Sequence, residues 1–153
     1  MDHRIFQTPV LGWLFKLAKA IPIAPARDDP AIYEAAFARA AQVLREGDLL
    51  AIFPEGAITF NGELQPFKPG IMKILEQARA DGLEVPVVPM ALNNLWGSFF
   101  SRIELRGGRN VAMVKLLRRG WLNRVGLEVG DAVPAAQATP ALLHTRVAAL
   151  LVR

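Results

Sequence analysis

Leu49-Leu50-Ala51-Ile52-Phe53-Pro54-Glu55-Gly56 and, further on, Val85-Pro86-Val87-Val88-Pro89-Met90-Ala91-Leu92 decide how this chain is read. Leu49 to Phe53 is an unbroken apolar run, the pattern of a strand covered on both faces, and Val85 to Leu92 reads as a second buried strand despite its two prolines. Between them, Pro69-Gly70-Ile71-Met72-Lys73-Ile74-Leu75-Glu76-Gln77-Ala78 has helical period and stops before Gly82. A strand, a helix and a strand in that order predict a right-handed crossover and a parallel pair. The expected class is therefore α/β, with a twisted, partly parallel sheet flanked by helices.

Working outward toward the N-terminus, Asp29-Pro30 opens a helix that runs to about Glu46 and is closed by Gly47. Ile32, Ala36, Ala40, Val43 and Leu44 share one stripe of it, so the helix is expected to cover a sheet. Before it, Ala20-Ile21-Pro22-Ile23-Ala24 is strand-like, with Pro22 arguing for an edge. Thr8-Pro9 opens a short, aromatic helix through Lys19, whose only charges, Lys16 and Lys19, sit in its last turn. Burial in a larger core and contact with a membrane surface both fit that helix. Toward the C-terminus, Arg102–Leu105, Val111–Leu116 and Val125–Val129 read as short strands, and Thr139-Pro140 caps a last helix.

The bulk composition narrows the partners. The 153 residues suffice for a single core, and 52% hydrophobic against 21% charged residues argues against disorder. A formal charge of +4 suits an anionic partner, although an ordinary basic surface fits it equally. No cysteine is present, which removes disulfides, thiolate metal sites and a cysteine nucleophile. No apolar run approaches the roughly 20 residues that cross a bilayer, so membrane contact is expected to be peripheral. Neither a phosphate-loop nor a dinucleotide glycine signature occurs, and no interleaved basic and aromatic stripe points to nucleic acid.

Chemistry concentrates after the first run. In open α/β sheets, ligands bind beyond the carboxyl ends of strands, and Glu55 is placed there. Pro54 stiffens the exit from the run, while Gly56 allows a sharp turn or a close backbone approach. A carboxylate repels phosphate, so Glu55 is expected to accept a hydrogen bond from an acceptor hydroxyl or to orient a basic side chain. Lys68 is the candidate for a phosphate, because Lys68-Pro69-Gly70 precedes a helix whose free N–H groups favour an anion. A strand-end turn with a solvated Glu and Lys is the plain structural alternative.

Phe53-Pro54-Glu55-Gly56, then Phe67-Lys68-Pro69-Gly70, then Val85 to Leu92 resembles, in order and spacing, the third and fourth conserved blocks of the glycerol-3-phosphate and lysophosphatidate acyltransferase superfamily. The resemblance runs from about Phe6 to Trp96 and fades beyond. Gly56-Ala57-Ile58-Thr59 and Asn93 to Phe100 look most like the acyltransferase domains fused to major-facilitator transporters, which re-acylate lysophospholipids. The resemblance implies acyl transfer from acyl-CoA or acyl-carrier protein to a lysophospholipid or 1-acyl-glycerol-3-phosphate, at the cytoplasmic face of a membrane and with no cofactor or metal. It implies substrate-binding roles for Phe53, Pro54, Glu55, Gly56, Thr59, Lys68, Gly70, Arg27 and Pro89.

Three departures qualify it. The family's His-x-x-x-x-Asp block supplies the base and its orienting carboxylate, yet the positions five after His3 and His144 are Thr8 and Ala149. A proline stands where the second block usually ends in arginine, leaving Arg27 two residues on as the substitute. Ile58 stands where an arginine often follows the third block. The expectation is a single partial domain over residues 1–153 that lacks its first elements and the dyad, binds an acceptor and turns over little. It is also expected to expose apolar surface and to be poorly soluble or to oligomerise. A lipid-head-group or membrane-binding remnant without catalysis is the alternative.

Overall fold

The computed structural model describes residues 17–57, 59, 61–96, 103–106, 109–112 and 124–151. Most of the expected helix Val10–Lys19, and His3, lie outside them. Helices α1 (Pro30–Arg45), α2 (Gly70–Ala80) and α3 (Pro140–Leu150) combine with strands β1 (Met90–Asn93), β2 (Ile103–Arg106), β3 (Arg109–Ala112) and β4 (Gly126–Val129). Contacts group the chain into two compact units, Met1–Ala51 with Lys73–Leu83 and Ile52–Met72 with Glu84–Arg153.

In the first unit, α1 starts where Asp29 caps it. The Asp29 carboxylate accepts from the Ile32 N–H at 2.9 Å, and Pro30 fills the first turn, where its missing N–H goes unneeded. The helix ends at Glu46, and Gly47 takes φ +77°. Ala36, Phe37, Ala40 and Ala41 are buried, so the buried stripe is rotated toward Phe37 and Ala41 from the one expected. Among the described residues, side chains from α2 and the turn after it reach this helix, and Ile21 and Pro22 line a cavity with its Ile32, Ala35, Ala36 and Arg39. Lys73 Nζ bonds the Glu34 carboxylate at 2.8 and 2.9 Å and lies 5.0 and 4.7 Å from the ring centroids of Tyr33 and Phe37, while Arg45 reaches Asp81 at 2.8 Å. α2 buries Ile71, Leu75 and Ala78 at helical spacing. It closes through Gly82 at φ +76°, with Leu83 N–H donating to Ala78 O at 2.9 Å.

The second unit corrects the expected parallel pair. Among the described residues both ladders are antiparallel: β1 with β4, in register Met90↔Val129 to Asn93↔Gly126, and β2 with β3, from Ile103↔Ala112 to Arg106↔Arg109. Leu49–Phe53 joins neither; it is mostly exposed rather than doubly covered, with Leu49 99% and Phe53 76% accessible. The expected strand Val85–Leu92 is cut down by its own prolines. Pro86 and Pro89 have no N–H to give a ladder, so pairing is reduced to a Val87↔Val133 bridge and then β1. Between those, Val88 and Pro89 face Gly130, Asp131 and Ala132, a one-residue bulge held by Gly130 N–H to Pro89 O at 2.9 Å.

One face of the β1–β4 pair is covered. Ala91 and Asn93 are buried, and Asn93 Nδ2 donates to Leu150 O at 3.1 Å, fixing α3 to β1. Thr139 caps α3 by accepting from Leu142 N–H at 3.2 Å, and Leu143 is its buried anchor. The other face carries Met90, Leu92, Leu127 and Val129, all exposed. Residues 113–116, four of the six in the strand expected at Val111–Leu116, lie outside the described residues. Among the described residues no helix is long and apolar enough to cross a membrane.

Candidate functional site

Loop 53–69 lies in the second unit and is built on a turn the sequence dictates. Gly56 N–H donates to Phe53 O at 3.1 Å, and Gly56 itself takes φ +63°. Pro54, with φ fixed near the value a turn requires, sits second in it, and a residue with a side chain at 56 would be strained. The far end of the loop returns to this turn through Lys68 N–H, which donates to Pro54 O at 2.9 Å.

That return brings Lys68 over Gly56. A β-carbon added at 56 would lie 2.9 Å from Lys68 Nζ, 3.0 Å from its Cδ and 3.2 Å from its Cε. Glycine is therefore required twice, for its backbone angle and for the room the lysine occupies. Among the described residues no carboxylate lies at ion-pair distance from the Lys68 ammonium, which is exposed. It is a charge on an exposed residue, two positions before the first residue of α2.

Glu55 is half-buried. Its Oε2 accepts from the Gln65 backbone N–H at 2.7 Å, which closes the loop a second time. This is a charge-assisted bond, short and strong for its type. Oε1 has no protein donor among the described residues, so one carboxylate oxygen holds the loop and the other stays available.

Between these closures the loop is cross-linked by its own side chains. Thr59 Oγ1 donates to Asn61 Oδ1 at 2.9 Å and accepts from Gly62 N–H at 3.1 Å. Asn61 Oδ1 also accepts from Glu63 N–H at 3.1 Å and Gln65 Nε2 at 3.3 Å, and Asn61 Nδ2 donates to Glu63 Oε2 at 2.6 Å. Thr59 is thus engaged in shaping the loop. Trp96 lies over Gly62, whose φ is +81°; a β-carbon there would come within 2.8 Å of the indole. Phe67 meets the edge of His144 from α3, with centroids 5.2 Å apart and planes at 76°.

The structure brings Phe53, Pro54, Glu55, Gly56, Thr59 and Lys68 into one loop, with Gly70 as the first residue of α2. Pro89 stands at the head of β1, tied to Gly130. Arg27 is not part of this loop: it belongs to the first unit, on the turn before α1, where its guanidinium pairs with adjacent Asp28 at 3.3 Å. Sequence reasoning gave no role to Asn61 or Gln65 and placed neither Trp96 nor His144 at this loop. Only Asn61-Gly62 carried a local signal, a turn dipeptide; the other three act across sequence separations that no short pattern encodes.

The model of the Acyltransferase family matches residues 1–93. A chloroplastic 1-acyl-sn-glycerol-3-phosphate acyltransferase of Brassica napus is 33% identical over 88 residues, 58% of this chain and 24% of that protein. A 1-acyl-sn-glycerol-3-phosphate acyltransferase of Limnanthes alba is 38% identical over 85 residues, 55% and 28% respectively. A probable enzyme of the same name from Mycoplasma pneumoniae is 30% identical over 95 residues, 61% and 34%. The matched part spans about a quarter to a third of the length of these curated relatives. No solved structure matches. The chain belongs to the glycerolipid acyltransferase superfamily.

Proposed function

With that membership as premise, we propose that this chain carries the acceptor-binding part of an enzyme that acylates a lysophosphatidate or related lysophospholipid. The observation that carries the reading is the Lys68 ammonium, laid across Gly56 at the start of a helix with no carboxylate partner among the described residues. A phosphate monoester is the complementary group: it meets the ammonium and the first N–H groups of α2 together. The relatives' names, 1-acyl-sn-glycerol-3-phosphate acyltransferase, supply the same class of acceptor. Oε1 of Glu55, held at the same turn, is suited to accept a hydrogen bond from a glycerol hydroxyl.

In the reaction, the acceptor's hydroxyl oxygen bonds to the acyl carbonyl carbon of acyl-CoA or acyl-carrier protein, the carbon–sulfur bond breaks, and the thiolate leaves. The hydroxyl proton passes through a general base to the leaving sulfur. This sequence holds no His-x-x-x-x-Asp to supply that base. The same observation favours the second reading, a module that binds the head group without turning it over. In both, the molecule works peripherally at the cytoplasmic face of a membrane, where its acceptor is dissolved.

The test is binding of lysophosphatidate by the full chain, against monoacylglycerol, which lacks the phosphate. Lys68→Ala is expected to weaken lysophosphatidate binding about 10- to 100-fold, the worth of a charge-assisted bond, and to leave monoacylglycerol unaffected. Equal binding of the two lipids, or no effect of the substitution, would overturn the assignment. Acyl transfer from a thioester, measured alongside, separates the enzyme from the binding module.

A further inference from the structure

We infer that His144, on α3 and outside the region the family model matches, is a positioning residue for Lys68. The inference deepens the proposed function and rests on it for its ligand. Three observations lead to it. The ring of His144 meets Phe67 at 5.2 Å in an edge arrangement, and Phe67 immediately precedes Lys68 in the chain. Lys68 is fixed on its other side by its N–H to Pro54 O at 2.9 Å and by its stem against Gly56. α3 is itself anchored by the Asn93 Nδ2 bond to Leu150 O, by buried Leu143, and by Leu150 Cδ1, which would lie 3.3 Å from a β-carbon at Gly130.

A loop that is mostly exposed needs an external brace if its lysine is to hold one position, because its own closures at Pro54 and Gln65 join loop to loop. Trp96 braces the loop at Gly62, and the aromatic contact from α3 is the brace at the lysine's end. It transmits the rigidity of the β1–α3 packing to the residue next to the ammonium, and an aromatic pair of this geometry is strong enough to bias a loop without governing the fold. His144 and Phe67 are both half-buried, so the contact is a local one at the loop's base.

The experiment compares the full chain with His144→Ala and His144→Phe. Hydrogen exchange at the Lys68 amide is expected to speed about three- to tenfold in His144→Ala and to return to near the parent rate in His144→Phe, which keeps the ring edge. The Val87 and Val133 amides are expected to hold their rates in both variants; a merely destabilising change would speed all of them together. Lysophosphatidate binding is expected to weaken by a similar factor in His144→Ala and to recover in His144→Phe. An unchanged Lys68 amide in His144→Ala, or His144→Phe behaving like His144→Ala, would overturn the inference. If the parent binds no lysophosphatidate, the proposed function fails, and the exchange measurement still decides the role of His144.

Discussion

Helix α1 and the segment that follows it, Leu49–Phe53, are neighbours in the chain, both rich in apolar residues, and opposite in outcome. α1 closes its hydrogen bonds within itself, is capped by Asp29, and buries Phe37 and Ala41. Leu49 to Ile52 enter no ladder among the described residues, and Leu49 is almost fully accessible. A helix completes its backbone pairing from its own sequence, whereas an extended segment is half of an interaction whose other half lies elsewhere. Apolar composition alone decides burial in neither case.

The comparison breaks most readily at Phe37. Phe37→Ala is expected to destabilise the chain by about 3–5 kcal/mol, read by urea unfolding, because it removes the largest side chain buried along α1. A loss below about 1 kcal/mol would mean that α1 draws little from burial. Asp29→Ala removes the cap and is expected to cost about 1 kcal/mol, with Asp29→Asn restoring most of it. Arg45→Ala breaks the exposed pair with Asp81 and is expected to cost only about 0.2–1 kcal/mol, shrinking in high salt. Smallest of all, Leu49→Ser is expected to change stability by no more than about 0.5 kcal/mol, while reducing self-association in size-exclusion chromatography. A larger loss would show that this run is packed in solution and would erase the contrast with α1.

The same contrast explains what could be read in advance. Asp29-Pro30, Thr139-Pro140, Gly47 and Gly82 marked the helix ends because caps act within a few residues of themselves. Val85–Leu92 and Val125–Val129 overlap the strands observed, whereas Leu49–Phe53 enters no ladder among the described residues, so the expected pair of runs is not the pair seen. Pro86 and Pro89 shorten Val85–Leu92 locally, yet its partner is Gly126–Val129, chosen across a long stretch of chain by a bulge and by α3. At the site, the turn at Pro54 and Gly56 was legible from residue type alone. The lysine's course over Gly56, the clasp between Glu55 and Gln65, and the reach of His144 to Phe67 each join positions with no shared local pattern. Family resemblance pointed to this loop without showing how it is held.

The lysine lying across a bare α-carbon has an entropic consequence. A long ammonium side chain moving freely in water surrenders up to about 2 kcal/mol of rotamer freedom when an anion fixes it. Here part of that ordering is already complete when the chain folds, so an arriving anion has less disorder to quench. A bulkier residue at 56 would leave the positive charge in place and still lower affinity, by setting loose the arm that carries it.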